Sequence, residues 1–381
     1  MNDPASFGLD LPSVRLELTT SLDECLATVI QAAECRRPMV VASTRAMDSR
    51  QGRVVARAVV ALPHARFHQV RPHPDMGLAA EGARVGRAAG ADGIVVIGGG
   101  SAIDLAKGIA MAMQGISLPA LARAVQPGNP AAPPLVPVIA IPTTLSGAEA
   151  IPRTGLIDAE GHKRILRHPQ IAARSIILDP VGNLGTPPSV MLPSGMNALA
   201  HCLEALYSRR RDPVSSALAL AALPRLHGGL TAILKSDDQA ARAQALTGAF
   251  LAGRAIINAR TGLHHATCHV LGARGVSHGV ANAILLPHAL RFNARVSAGL
   301  LDSAAAVLEL KTEGDSPRVL AQAVDRLREA AGLPGQLRAV GIGRDQLGAI
   351  AAQVLQEPGM AFNPGPALAQ GDVVAFLESC Y

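Results

Sequence analysis

The stretch VVIGGGSAIDLAK (residues 95–107) joins an apolar run, three consecutive glycines and a helical pattern. The apolar run is typical of a buried strand, and helical spacing of apolar residues begins directly after the glycines. Glycines let the backbone approach a ligand closely, and a helix N-terminus offers free N–H groups and a partial positive charge. The stretch therefore indicates a strand–turn–helix unit that suits a phosphate group.

The same turn also admits a purely structural interpretation. Ser101 and Asp104 have the S-x-x-D spacing of a capping box, in which side chains bind the first free N–H groups of a helix. The glycine spacing also differs from the G-x-G-x-x-G dinucleotide fingerprint. Because capping and phosphate binding do not exclude each other, both interpretations stay open at this point.

Predicted strands and helices alternate along the first half of the chain. Short apolar strands are expected in PMVVAST (38–44), ARFHQV (65–70), PLVPVIAIPTT (134–144) and RSIILDP (174–180). Helical patterns lie between them, and this alternation predicts a mostly parallel sheet with helices on both faces. The segment RTGLIDAEGHKRIL (153–166) instead predicts a hairpin around the turn AEGHK.

The alternation stops near Pro187. Long segments rich in Ala and Leu follow, such as SSALALAALPRLHGGL (215–230) and ARAQALTGAFLAGRAIINA (241–259). The sequence therefore predicts an α/β N-terminal domain, residues 1–181, followed by an all-α C-terminal domain, residues 182–381.

The composition excludes several classes of protein. The net charge is +6, but the basic residues are scattered, and the densest run, SRRRDP (208–213), is typical of a solvated helix end. Aromatic residues make up only 2% of the chain, so base stacking on nucleic acid is not expected. Five Cys without framework spacing, no secretory pattern and no apolar run of ~18 residues predict a cytoplasmic protein with no membrane partner.

Histidines concentrate in two helical segments. GLHHATCHVLGARGVSHG (262–279) carries His264, His265, His269 and His278, while SGMNALAHCLEALY (194–207) carries His201. Residues at i and i+4 share one helix face, so His265 and His269 form one pair and Asn197 and His201 another. Asp in place of Asn would make half of a metal site, whereas an uncharged amide is a poor ligand for a first-row metal. The pattern predicts a convergent histidine cluster of undecided metal content.

Five motifs in order resemble the iron-containing (group III) alcohol dehydrogenase superfamily over about residues 38–295. They are GGGSAIDLAK, IPTTLSGAE, GMNALAHCLEALY, HHATCHVLGA and SHGVANAILLPH. The resemblance implies a Rossmann-like N-terminal domain, a helical C-terminal domain, NAD(P)H as the cofactor and a homodimer. It also implies an oxidoreductase acting on a small molecule.

The resemblance assigns roles by position. The residues that match the cofactor site are Gly98, Gly99, Gly100, Ser101, Asp104, Thr143, Thr144, Ser146 and Lys163. We add Thr44, because Thr44 and Arg45 stand where a strict NAD enzyme usually carries an acidic residue, which leaves room for a 2′-phosphate. The family's four metal positions carry Asn197, His201, His265 and His278, and its substrate-side histidine is His269.

The Asn form of the motif resembles the maleylacetate reductase branch, which is thought to work without a metal. That branch reduces maleylacetate, an anionic oxo acid, to 3-oxoadipate during the breakdown of aromatic compounds. The short loop PTTLSGAE and the HHxxCH motif agree, while Asp104 and SHGVANAILLPH resemble the dehydrogenases.

We therefore expect a reductase that does not require a divalent metal, although Fe or Zn is possible. His269 and His265 would carry the proton chemistry, and His201 and His278 would position them. The alternatives are a metal-dependent alcohol dehydrogenase, interconverting an alcohol with an aldehyde or ketone, and a non-catalytic NAD(P)-binding protein.

Overall fold

The computed structural model describes residues 7–9, 11–123 and 133–381. Their contacts group into two compact units. One is Leu11–Pro187, and the other is Pro188–Tyr381 together with residues 7–9. The domain boundary expected after residue 181 stays a prediction, because compactness does not measure independent folding.

The first unit contains a parallel sheet, which confirms the predicted α/β class. In the described part of the chain its strand order is β1-β8-β5-β4-β2-β3. The strands are β1 (Arg15–Leu18), β2 (Pro38–Ala42), β3 (Ala65–Phe67), β4 (Gly93–Gly98), β5 (Val138–Pro142) and β8 (Ser175–Leu178). The predicted hairpin forms a separate antiparallel pair, β6 (Arg153–Ile157) with β7 (Lys163–Arg167).

Helices surround this sheet. They are α1 (Leu22–Ala32), α2 (Thr44–Met47), α3 (Arg50–Val59), α4 (Met76–Ala88), α5 (Gly100–Met113), α6 (Leu118–Arg123) and α7 (Pro180–Asn183). Short polar residues start several of them. Asp75 accepts a hydrogen bond from the Leu78 N–H, and Ser49 accepts one from the Gly52 N–H. These side chains satisfy N–H groups that have no partner within the helix.

The register of the central strands positions the cofactor loops. Ala42 lies opposite Ile97, and Gly98 lies opposite Pro142, so β2, β4 and β5 end at the same level of the sheet. The segments that follow these three strands begin at Ser43, Gly99 and Thr143. In a parallel sheet the carboxyl ends of the strands form the ligand-binding edge.

The second unit is helical, as predicted. Its helices are α8 (Pro188–Tyr207), α9 (Pro213–Lys235), α10 (Gln239–Ala259), α11 (Leu263–Gly272), α12 (His278–Phe292), α13 (Ala294–Val307), α14 (Ser316–Ala330), α15 (Leu347–Val354) and α16 (Gln370–Ser379). Buried apolar residues from α11, α12, α15 and α16 form one core cluster. This cluster supports the histidine-bearing helix α11 from one side.

One helix departs from the expectation that no segment reaches membrane-spanning length. Among the described residues, α9 is long and apolar enough by length and composition, with a mean hydropathy of 1.4. The sequence analysis did not recognise this helix, because Pro, Arg and His interrupt its apolar run. These residues do not lower its mean hydropathy enough to exclude a span by composition. Length and composition alone are weak support for a span, since a core helix of a soluble protein passes the same test.

Adjacent glycines in α9 give a matched test of helix packing. A Cβ on Gly229 would lie 2.8 Å from the Ala245 nitrogen of α10, whereas one on Gly228 would meet nothing within 4 Å. We expect Gly229→Ala to destabilise the protein by about 1–3 kcal/mol, because backbone atoms cannot move aside cheaply. Gly228→Ala should be neutral or stabilising by up to about 1 kcal/mol.

Thermal unfolding followed by circular dichroism measures both variants. Equal Tm values for the two would contradict this close approach of α9 and α10.

Candidate active site

The glycine turn leaves the start of α5 open to a ligand. The helix begins at Gly100 with Gly99 as its N-cap, and among the described residues no side chain caps it. The capping box expected as one interpretation of Ser101 and Asp104 does not form, so that interpretation is wrong. The helix starts two residues too early for Ser101 to act as the cap, because its N-cap is Gly99. The N–H groups of the first turn are therefore available to an anion.

A hydroxyl-bearing loop closes over this turn. A Cβ on Gly99 would lie 2.8 Å from Cγ2 of Thr144, and one on Gly100 would lie 3.3 Å from Cβ of Ser146. The Thr143 N–H donates to the Gly98 carbonyl at 2.9 Å, which fixes the two segments together. Only glycine allows this approach, so the turn and the loop form a narrow polar cradle. Its free N–H groups and hydroxyls are donors of the kind that bind a pyrophosphate.

Three other predicted cofactor residues surround the same edge of the first unit. Lys163 begins β7, and its side chain crosses Gly155 of β6, where an added Cβ would lie 3.2 Å from Nζ. Burial raises the pKa of Asp104, while the nearby charges of Lys107 and Lys163 oppose this shift. Thr44 is exposed at the start of α2. No contact to a cofactor tests these assignments, and they stay predictions.

Four histidines converge within the helical unit. The His201 and His265 rings stack with centroids 4.7 Å apart, and the His269 and His278 rings stack at 6.0 Å. His265 also lies 5.8 Å from His278. Close packing of α12 on α8 brings these histidines together. The two helices approach closely at Gly279, where an added Cβ would lie 2.8 Å from the Pro193 carbonyl oxygen.

Glu204 is a site residue that the sequence analysis missed. Its carboxylate accepts a hydrogen bond from the Gly262 N–H at 2.7 Å and one from Nδ1 of His265. Burial would raise the pKa of Glu204, but His265 and His264 hold it far below the usual range. The sequence feature that could have revealed Glu204 is its position, one turn after His201 on the inner face of α8.

The environment of His265 determines which nitrogen carries its proton. A carboxylate can only accept, so Nδ1 of His265 donates to Glu204, and Nε2 presents a lone pair. Burial lowers the pKa of His265 to about 4, although Glu204 opposes this, so the ring is neutral at pH 7. Nε2 lies 3.1 Å from Oδ1 of Asn197. An amide oxygen only accepts, so for the Nδ1–H tautomer we assign the opposite amide orientation, with the Asn197 NH₂ group turned toward Nε2.

His264 has a structural role in this arrangement. It is fully buried, its Nδ1 lies 3.3 Å from Glu204, and its Nε2 donates to the Asn282 carbonyl at 3.3 Å. Burial would lower the pKa of His264, but Cys268 and Glu204 raise it to about 10. We attribute the rise mainly to Glu204, because the buried Cys268 thiol stays protonated. His264 therefore neutralises Glu204 at Oε2, the same carboxylate oxygen that His265 contacts.

His269 is one of two partly exposed histidines in the cluster, together with His278. The His269 side chain is 33% exposed, whereas His201 and His265 are buried. Nδ1 of His269 lies 3.1 Å from Oε2 of Glu357. No sequence pattern pointed to Glu357, which lies 88 residues further along the chain. The contact leaves Nε2 of His269 as its second proton-carrying atom.

Comparisons with known proteins agree with this fold. The family described as "Iron-containing alcohol dehydrogenase" matches residues 20–180, and "Fe-containing alcohol dehydrogenase family, C-terminal" matches residues 191–381. The chain belongs to the iron-containing alcohol dehydrogenase family. It is an oxidoreductase near the maleylacetate reductase branch, so the expectation of an enzyme is confirmed over the non-catalytic alternative.

Individual relatives point to two branches. A maleylacetate reductase of Burkholderia cepacia is 32% identical, with 86% of this chain and 83% of the relative covered. A lactaldehyde reductase of Escherichia coli (strain K12) is 31% identical over 84% of this chain and 85% of the relative. The crystal structure of maleylacetate reductase from Rhizobium sp. strain MTP-10005 has a TM-score of 0.84 at 27% identity, with 99% of each chain covered.

The family implies NAD(P) and usually an iron or other metal. Within the described residues, Glu204, His264 and His265 place one ligand atom each within 4.8 Å of one another and could hold a metal ion. That group shares only His265 with the four metal positions taken from the resemblance.

The cradle predicts a strong effect of Gly99→Val. The new side chain would meet Thr144 and displace the loop from the glycine turn, so affinity for NADPH should fall by about tenfold or more, which is ~1.4 kcal/mol. Titration of NADPH fluorescence measures the affinity, and the far-UV spectrum controls for folding. A folded variant that titrates like wild type would show that the cofactor site is misplaced.

Proposed function

We propose that the protein is an NAD(P)H-dependent reductase of the maleylacetate type. It would reduce the C=C bond of a small anionic oxo acid, giving 3-oxoadipate from maleylacetate in the breakdown of aromatic compounds. The observation that carries the proposal is the 3.1 Å contact of Nε2 of His265 with the side-chain amide of Asn197, through its Oδ1. With the amide turned so that its NH₂ faces Nε2, the His265 lone pair has a donor without a divalent metal.

The physical argument is one of donors and acceptors. With Asp at position 197, a carboxylate and an imidazole lone pair would face each other, and a cation or proton would have to lie between them. Asn can supply an N–H donor at that point instead, once its amide is turned to bring NH₂ rather than Oδ1 toward Nε2. The amide also brings no charge to hold iron, so the present residues do not fit an iron site.

We assign a separate role in the reaction to each group of residues. Bound NAD(P)H supplies a hydride to the electrophilic carbon of the substrate. Charge then develops on the conjugated carbonyl oxygen, and a proton must reach the product. His269 would deliver that proton from Nε2 while Glu357 binds Nδ1. His265, held between Glu204 and Asn197, and the stacked His201 would fix the substrate-facing surface.

Cofactor choice follows from the end of β2. Thr44 and Arg45 are both exposed there, and neither repels a 2′-phosphate. We therefore infer that NADPH is accepted as well as NADH. A homodimer and a cytoplasmic location remain proposals based on family resemblance and on five free cysteines.

A metal-dependent alcohol dehydrogenase is the second candidate. Two observations favour it, namely the similarity to lactaldehyde reductase and the buried group of Glu204, His264 and His265. In that group, however, Oε2 of Glu204 already faces Nδ1 of both rings. A metal there would have to displace hydrogen bonds that also hold the start of α11 in place.

Two substitutions at Asn197 separate the candidates. Asn197→Asp should raise the affinity for Zn²⁺ by about tenfold or more, ~1.4 kcal/mol. It should also lower the rate of metal-free enzyme, because a carboxylate repels the His265 lone pair. Asn197→Ala should lower the rate without any gain in metal affinity. Calorimetric Zn²⁺ titration and NADPH oxidation measure both, and equal Zn²⁺ affinity in wild type and the Asp variant would contradict the proposal.

His269→Ala tests the proton donor. The rate of NADPH oxidation with maleylacetate should fall by roughly two to four orders of magnitude. Cofactor affinity should stay unchanged, because the glycine turn lies on other elements. His227→Ala, on α9 and outside the cluster, is the matched control. A loss of less than about threefold for His269→Ala would assign the proton transfer to another group.

A further inference from the structure

A buried lysine on α5 holds the main chain that follows the hydroxyl-bearing loop of the cofactor cradle. Lys107 lies on α5, seven residues after Gly100, and its side chain is fully buried. Its Nζ donates to the backbone carbonyls of Ala148 at 2.5 Å, Ile151 at 2.7 Å and Arg153 at 3.0 Å. An ammonium group has three N–H donors, so this one ion uses all of them on a single segment of main chain.

The segment held in this way continues directly from the cradle. Residues 148–153 follow Ser146, whose side chain faces Gly100, and they lead into the hairpin that carries Lys163. Gly147, with φ of 67°, makes the sharp turn between the hydroxyl loop and the held segment. A second hydrogen bond in the same region, from the Thr154 hydroxyl to the Asp104 carbonyl at 2.9 Å, ties β6 to α5.

Burying the charge of Lys107 at this position costs free energy of desolvation. Burial lowers its pKa to about 8, although Asp104 and Glu149 favour the charged form. Glu149 is itself buried, and within the described residues its Oε2 has no hydrogen-bond partner. An apolar side chain of the same length would fill this space without any desolvation penalty. Packing alone therefore does not explain a lysine here, whereas control of three carbonyl groups does.

We infer that Lys107 is a positioning residue of the cofactor site, which fixes residues 146–153 against the glycine turn at Gly99 and Gly100. It acts through the main chain, because seven helical residues separate it from the turn by about 10 Å. The inference rests on the proposed cofactor cradle. Without Lys107, three buried carbonyls lose their donor, and the loop should leave its place to find new partners.

The experiment compares three purified variants with wild type by titration of NADPH fluorescence and by Tm. Lys107→Met keeps the length of the side chain but removes every donor, and should weaken NADPH binding about tenfold or more. Lys107→Arg keeps the charge, but a planar guanidinium does not match three converging carbonyls, so an intermediate loss is expected at nearly wild-type Tm. Ile109→Ala, in the buried face of the same helix, is the control for lost stability.

Hydrogen exchange of peptides covering residues 143–153 gives a second readout without cofactor. Faster exchange there in the Lys107 variants, but not in Ile109→Ala, supports the inference. If Lys107→Met fails to fold, the Arg variant decides. Wild-type NADPH affinity in a folded Lys107 variant, or an equal loss of affinity in Ile109→Ala, overturns it. Failure of wild type to bind NADPH would instead reject the proposed cofactor site.

Discussion

The carboxylate of Glu204 is the contact on which the histidine site depends. It joins α8 to the start of α11 through the Gly262 N–H, and it sets the proton of His265 on Nδ1. The donor and acceptor in the contact between His265 and Asn197 follow from this position of the proton. Nε2 of His265 becomes an acceptor, and we assign the NH₂ group of Asn197 as its donor, by turning the amide whose Oδ1 lies 3.1 Å away. His264 balances the buried charge at the same oxygen, so one carboxylate is shared between a structural and a site-facing imidazole.

In the first unit, which carries the predicted cofactor site, a buried ion of opposite charge also organises hydrogen bonds of the main chain. There a buried cation, Lys107, organises three carbonyl groups, much as Glu204 organises N–H donors. In both units a fully buried ion fixes main chain next to a predicted ligand surface. Such ions are expensive to bury, and they are tolerated where geometry has to be held closely. The glycines of the turn then allow Thr144 and Ser146 to approach.

The sequence predicted the features that local patterns encode. Strand–helix alternation gave the parallel sheet, and the i, i+4 spacing placed Asn197 and His201 on one face of α8. β1 was missed, because an edge strand of four residues with two charges has little apolar signal. Glu357 and the contacts of Lys107 were missed for another reason. Their partners lie 41 to 88 residues away, and only folding reveals such pairs.

Metal dependence tests the central claim most directly. The protein would be treated with a chelator, analysed for Fe and Zn, and assayed for NADPH oxidation with maleylacetate before and after metal is added back. The account predicts an unchanged rate in metal-depleted protein and no gain on adding Zn²⁺ or Fe²⁺, because the Asn197 amide already satisfies Nε2 of His265. A rate that disappears with the metal and returns with it would contradict the account and establish the metal-dependent dehydrogenase chemistry instead.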